Sequence, residues 1–237
     1  MPIIKADLHY HGPIGFQPYW LKVQGYEGKN LLKEIVDACF SKDIGLCAII
    51  SDENEIPRNS IHDRFNLLKS KCARSLPKEY EFDSIGKNIA VITKDRNKKM
   101  CLVNGQTVRT GSNGDPLTKK GYIDYLVVGS NEIPNHRDLE YTVKLVYGNG
   151  NFLGGAEHGL CEAHGGMGRE KMEKLLPYMD FIEGHNSQLT FPVPSFVPFF
   201  GNYRRELNKE IQKFAEEKNK PWIATSDGHR IEDVGIS

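Results

Sequence analysis

Apolar and polar positions along this chain switch repeatedly between a strand-like period and a helical one. The opening run Ile3-Ile4-Lys5-Ala6-Asp7-Leu8-His9 is apolar enough for a buried strand, and Gly12-Pro13 breaks it. From Asn30 to Phe40 the apolar residues fall at helical spacing, and Gly45 then leads into the strand-like run Leu46-Cys47-Ala48-Ile49-Ile50. This predicts a β-α-β unit with Ser51-Asp52-Glu53-Asn54 just past its second strand. A helix is expected near Arg64 to Ala73. Asn88 to Thr93 and Met100 to Val103 then flank the polar turn Asp95 to Lys99, as a hairpin or two edge-facing strands.

After the Gly/Asn-rich stretch Thr110 to Asp115, Tyr122 to Gly129 reads as a strand and Asp138 to Tyr147 as a helix. Gly148 to Gly168 is rich in glycine, which lets backbone approach a site closely, and carries His158 and His164. Arg169 to Met179 reads as a helix, Asp180 to Glu183 as a strand, Phe191 to Phe200 as an ordered loop and Tyr203 to Lys218 as a further helix. A last strand, Pro221 to Thr225, delivers Ser226-Asp227-Gly228-His229. Such alternation predicts an α/β fold around a parallel sheet, open or closed into a barrel, with functional groups at the strands' C-terminal ends.

Composition narrows the picture. A chain of 237 residues with 39% hydrophobic content supports one core and one domain spanning 1–237. Lys+Arg and Asp+Glu both number 31, so no broad basic field draws nucleic acid, and a phosphate-bearing substrate would be held locally by metals or a few cations. Five scattered cysteines without a C-x-x-C pair signal neither a disulfide framework nor a zinc ribbon, which fits a reducing cytoplasm. No run reaches the ~18 apolar residues of a membrane span, and the N-terminus lacks an export signal, so the expectation is an unexported protein with no membrane partner.

The candidate chemistry lies in pairs. Residues i and i+2 of a strand share a face, so His9 and His11 converge on one point, as a divalent cation requires. Asp227 and His229 repeat this spacing after the last strand, offering a carboxylate and an imidazole. Glu53, beside Asp52, offers a third carboxylate. At least one of His158 and His164 is expected at the site, and His185 is a pocket candidate. His62 and His136 read as surface or capping residues.

These residues resemble the PHP family, the polymerase-and-histidinol-phosphatase domain. Asp7-Leu8-His9-Tyr10-His11 matches its opening D-x-H-x-H motif, and Ser226-Asp227-Gly228-His229 with Asp233-Val234-Gly235 its closing S-D-x-H segment. Gly45 to Asn54 resembles the strand that ends in T-D-H-x, and Ala163-His164-Gly165 through Glu183-Gly184-His185-Asn186 the A-H-P, helix, strand, E-x-x-N stretch. The resemblance implies a distorted (β/α)7 barrel, a TIM-like fold, holding two or three divalent ions (Mn, Zn, Fe or Mg). It makes His9, His11, Glu53, His164, Asp227 and His229 ligands. Three departures stand out: Glu53 replaces a histidine, Thr107 in Gly105-Gln106-Thr107 stands where a bridging glutamate belongs, and Asn131-Glu132 replaces a later histidine.

The expectation is therefore a metal-dependent phosphoesterase that hydrolyses a small phosphate ester or a nucleotide end with metal-activated water. Asp52 and Asp227 take the catalytic roles. Arg169 and Arg230, with Lys171, are candidates for phosphate, while Asp7, Thr107, Glu132, His158, His185 and Asn186 are candidates for the pocket. The alternatives are a metal-dependent hydrolase of a non-phosphate substrate and a PHP-like module that binds metal or a partner with a degraded catalytic site. Because the chain stops at Ser237, soon after its last motif, a final covering element is expected to be missing or to lie beyond it.

Overall fold

Strand β1 (Lys5–Tyr10) and helix α1 (Leu31–Ser41) form where the apolar pattern predicts them. Asn30 caps α1 by accepting a hydrogen bond from Lys33 N, and the helix buries Leu32, Ile35, Val36 and Cys39 against β2 (Ile44–Ser51). A short helix α2 (Arg64–Leu67), capped by Asp63, continues as irregular helical turns to Ser75. Next come β3 (Tyr80–Ile85), β4 (Ile89–Lys94), the long β5 (Lys98–Thr110) and β6 (Ile123–Val128). Helix α3 (Leu139–Asn149) starts at the Asp138 cap. After it follow β7 (Leu153–Ala156), α4 (Arg169–Leu175), β8 (Phe181–Asn186), α5 (Pro198–Glu217) and β9 (Trp222–Thr225). The computed structural model describes residues 4–13, 25–53, 63–111, 121–190 and 198–236. His62, most of the glycine-rich turn after Thr110 and most of the Phe191 to Phe200 loop lie outside them.

The strands pair in the order β1-β2-β5-β6-β7-β8-β9, and a parallel bridge between Tyr10 and Gly228 brings the two ends together. The result is a mixed α/β domain on a nearly closed, barrel-like sheet of seven strands. It is richer in strand and poorer in helix than regular β/α alternation predicts. Strand β6 runs antiparallel to both β5 and β7, so its C-terminal end lies at the opposite rim from those of its neighbours. Strand β5 does double duty: Lys98–Val103 pairs with β4 as the expected hairpin, which β3 extends, while Gly105–Thr110 pairs with β6 inside the barrel wall.

Two apolar clusters lie outside the barrel. One packs α1 and α2 against β1, β2 and the β3–β5 strands, and the other packs α3, α4 and α5 on the β5–β8 half. A third, Ala48, Ile50, Leu126, Val128 and Phe181, joins residues of β2, β6 and β8. Among the described residues no helix is long and apolar enough to cross a membrane.

Candidate metal centre

The ends of the described chain meet at one rim of the barrel. Asp227 N donates to His9 O at 2.8 Å, and His11 N and Gly12 N both donate to Gly228 O, at 2.9 and 2.8 Å. Asp7, buried one step below, accepts from the backbone of His9, Ser226 and Gly235, which ties β1 to the segment after β9. This lacing needs glycine at 228: a Cβ there would lie 2.6 Å from Asp233 Cβ and 3.0 Å from the Tyr10 ring. Asp227 adopts a left-handed backbone (φ 48°), a conformation aspartate tolerates better than most residues.

Held this way, the two i, i+2 pairs converge. His9 Nε2 and His11 Nε2 face each other at 3.0 Å, and each lies 3.4 Å from Asp227 Oδ1. His9, His11 and Asp227 are all buried, and one ligand atom from each falls within 4.8 Å of the others. Two imidazole nitrogens and a carboxylate oxygen form a donor set suited to a borderline divalent ion. Only one proton can sit between two facing ring nitrogens, whereas a cation between them satisfies both.

The surroundings prepare His9 to bind. Its Nδ1 donates to Glu183 Oε1 at 2.7 Å, which leaves Nε2 to offer its lone pair. Burial opposes protonation of His9, yet Asp227, Glu183 and Glu157 together raise its pKa to about 10, because three carboxylates favour positive charge at this point. Glu183 also accepts from Thr225 Oγ1 (2.5 Å), His158 N (2.8 Å) and Asn186 Nδ2 (3.2 Å). Burial works against its ionisation as well, but the facing His9 and His158 hold its carboxyl far below the usual range. Asp227 is depressed against its burial by His9, His11 and His158.

Asp52 lines the same cavity. Arg64 grips it with two hydrogen bonds, at 2.7 and 3.1 Å, and it stands 3.5 Å from His11 Nδ1. Burial would raise the Asp52 pKa, but Arg64 and His11 bring it down to about 2. His229 stacks on His11 (ring centroids 4.7 Å) and donates from Nδ1 to Asp227 O. Burial and the neighbouring His11 lower its pKa to about 4, which keeps it neutral.

Of the next two site residues, His158 is among the expected pocket residues, whereas Glu157 is not legible as such in the sequence. Glu157 and His158 follow β7 directly and reach the donor group: Glu157 Oε1 lies 3.5 Å from His9 Nε2 and 3.3 Å from His158 Nε2. Thr107, on the facing β5, donates to the same oxygen at 3.2 Å. Glu157 Oε2 is buried without a hydrogen-bond partner among the described residues, an expensive arrangement for a carboxylate unless a cation or ligand completes it. Of the two histidines in the glycine-rich stretch, His158 is therefore the one beside the donors, with Asn186 Nδ2 at 2.9 Å from its Nδ1. His164 is exposed on a short helical turn and lines the cavity at a remove from them.

Other expected site residues lie elsewhere. Glu53 is buried, but His136 Nε2 (2.6 Å) and Arg109 Nη1 (3.6 Å) occupy its carboxylate, and it is not part of the three-residue donor group. His136, read as a surface or capping residue, is thus the partner of Glu53. Glu132 pairs with Lys87 in solvent, because the reversed β6 delivers it to the opposite rim. His185 is half-buried beside Asn208. Arg169 sits over the Phe214 ring and Arg230 is exposed beside Glu232. Neither lines the cavity, and Lys171 is exposed on α4.

The cavity over this group measures about 270 Å³, and its walls are mainly polar. Arg109 and Asp124 lie on the wall beyond Thr107. Comparison with models of known protein families finds no match, and comparison with curated protein sequences finds none either.

Proposed function

We propose that this protein is a metal-dependent hydrolase that cleaves a small phosphate ester with an activated water. One observation carries the reading: His9 Nε2, His11 Nε2 and Asp227 Oδ1 converge beside a polar cavity of about 270 Å³ that Glu157 also lines, with Glu157 Oε1 3.5 Å from His9 Nε2. A divalent ion held by these three residues would supply a water of lowered pKa and a Lewis acid for an ester oxygen. The mixed imidazole and carboxylate donors favour zinc, manganese or iron over magnesium.

The chain's own groups supply orientation and proton handling. Glu183 fixes the His9 tautomer, and Asp52, clamped by Arg64, faces His11 Nδ1. Glu157, a cavity-lining carboxylate whose Oε1 accepts from Thr107, is the candidate to take a proton from an incoming water. A cavity of this size suits a small ester rather than a polymer. The phosphate class, and with it the reading of the barrel as a variant of the PHP (β/α)7 type, rests on the D-x-H-x-H and S-D-x-H resemblance.

The test is hydrolysis of an aryl phosphate monoester and diester by metal-stripped protein reloaded with Mn²⁺, Zn²⁺ or Fe²⁺. Turnover should require the metal and vanish in His9→Ala and Asp227→Ala. Protein that binds metal yet turns over neither ester would overturn the phosphoesterase reading.

A further inference from the structure

On the cavity wall beyond Thr107 a positive side chain lies between two buried carboxylates. Thr107 and Arg109 stand two residues apart on β5, so both address the cavity, and Arg109 lies directly across the ladder from Asp124 on β6. The Arg109 guanidinium reaches Glu53 at 3.6 Å and Asp124 at 3.9 Å, and it lies over the Tyr122 ring at 5.5 Å. Glu53 and Asp124 are both buried, and His136 Nε2 closes on Glu53 from its other side at 2.6 Å. Two buried carboxylates within 4 Å of one guanidinium call for its positive charge. A guanidinium carries a fixed charge, and a divalent ion among the same oxygens would have to displace it.

Resting on the metal-dependent reading above, we infer that the centre is mononuclear, with Arg109 standing in for a second metal ion at Glu53 and Asp124. The placement of donors agrees: among the described residues only His9, His11 and Asp227 group tightly enough to hold an ion. Arg109 Nε, buried without a hydrogen-bond partner among the described residues, lies 3.9 Å from Asp124 Oδ1, which keeps its charge beside that carboxylate.

Manganese binding tests this on the whole chain. Metal-stripped protein is given two equivalents of Mn²⁺, and bound metal per chain is measured after gel filtration, with an electron paramagnetic resonance spectrum of the same sample. The inference predicts one bound ion and an uncoupled single-ion hyperfine pattern. Arg109→Met, which removes the charge at similar volume, should raise the stoichiometry to two, while Arg109→Lys should keep it at one. An exchange-coupled pair in the wild-type spectrum would overturn the inference and leave the metal-dependent reading intact, and this result does not depend on any variant folding. A folded Arg109→Met that still holds one ion would also overturn it. Wild-type protein that binds no Mn²⁺, Zn²⁺ or Fe²⁺ would overturn the metal-dependent reading itself, and the inference with it.

Discussion

Replacing Glu183 with glutamine keeps the volume of a fully buried side chain and changes only its hydrogen-bonding character. One carboxylate oxygen accepts from His9 Nδ1 and Thr225 Oγ1, the other from His158 N and Asn186 Nδ2. A glutamine must turn its NH₂ toward one of these pairs, so in either orientation a donor meets donors. If the oxygen stays with His9, the His158 backbone loses its acceptor; if it turns away, His9 loses the partner that fixes its tautomer. Unsatisfied buried groups cost about 1–3 kcal/mol. Loss of a partner that orients a ligating histidine weakens metal binding about 10–100-fold, which is roughly 1.4–2.8 kcal/mol. Zinc affinity measured by competition with a chromophoric chelator should therefore fall by that factor in Glu183→Gln. A correctly folded variant with affinity within about twofold of wild type would refute the argument that Glu183 prepares His9.

Gly228→Ala should loosen the seam between the first and last strands, because its Cβ would meet Asp233 Cβ at 2.6 Å. Overpacking of this kind costs about 1–3 kcal/mol, visible as a lower midpoint in urea unfolding with unchanged m, and metal affinity should fall with it. Away from the site, Asp37 links α1 to β3 and β4 through Tyr80 and Lys94 and pairs with Lys33 on its own helix. Burial would raise its pKa, but these three partners lower it from 3.8 to about 2. A depressed carboxylate adds stability that is complete above its unfolded pKa and is lost as the pH falls through its folded one. Asp37→Asn should accordingly flatten the fall in thermal midpoint between pH values of about 4 and 2; an unchanged slope would exclude Asp37 as its source. Finally, a bound ion should stabilise the chain by about 2.7 kcal/mol at a hundredfold excess over Kd, seen as a rise in thermal midpoint that a chelator reverses.

The sequence was most informative where one local rule sufficed. The period of two in Asp7-Leu8-His9-Tyr10-His11, and the same spacing at Asp227 and His229, placed donors on shared faces without any knowledge of what lay opposite. It was least informative where glycine removed the pattern. Strand β7 reads Leu-Gly-Gly-Ala, with no alternation and no β-branched residue. Its glycines are required because a Cβ at Gly155 would overlap the Phe181 ring. With that strand hidden, Glu157 and His158 could not be recognised as strand-end residues, although the glutamate sits in a Gly155-Ala156-Glu157 sequence.

Strand direction was equally invisible. An apolar run such as Ile123–Val128 looks the same in either orientation, and the reversal of β6 carries Glu132 to the far rim. The pairing of Glu53 with His136 and Arg109 joins three distant segments, beyond the reach of any local periodicity. Strand β3, an edge strand paired with β4 alone, carries the same period of two, with Glu81 and Asp83 alternating with Tyr80 and Phe82, but the pattern is only four residues long before Ser84.

The central claim is that His9, His11 and Asp227 form a metal centre, and anomalous diffraction from crystals soaked in Mn²⁺ or Zn²⁺ tests it most directly. The account predicts a peak about 2.0–2.2 Å from His9 Nε2 and His11 Nε2 and from an Asp227 oxygen. A peak elsewhere in the protein, or none at this rim of the barrel, would contradict it.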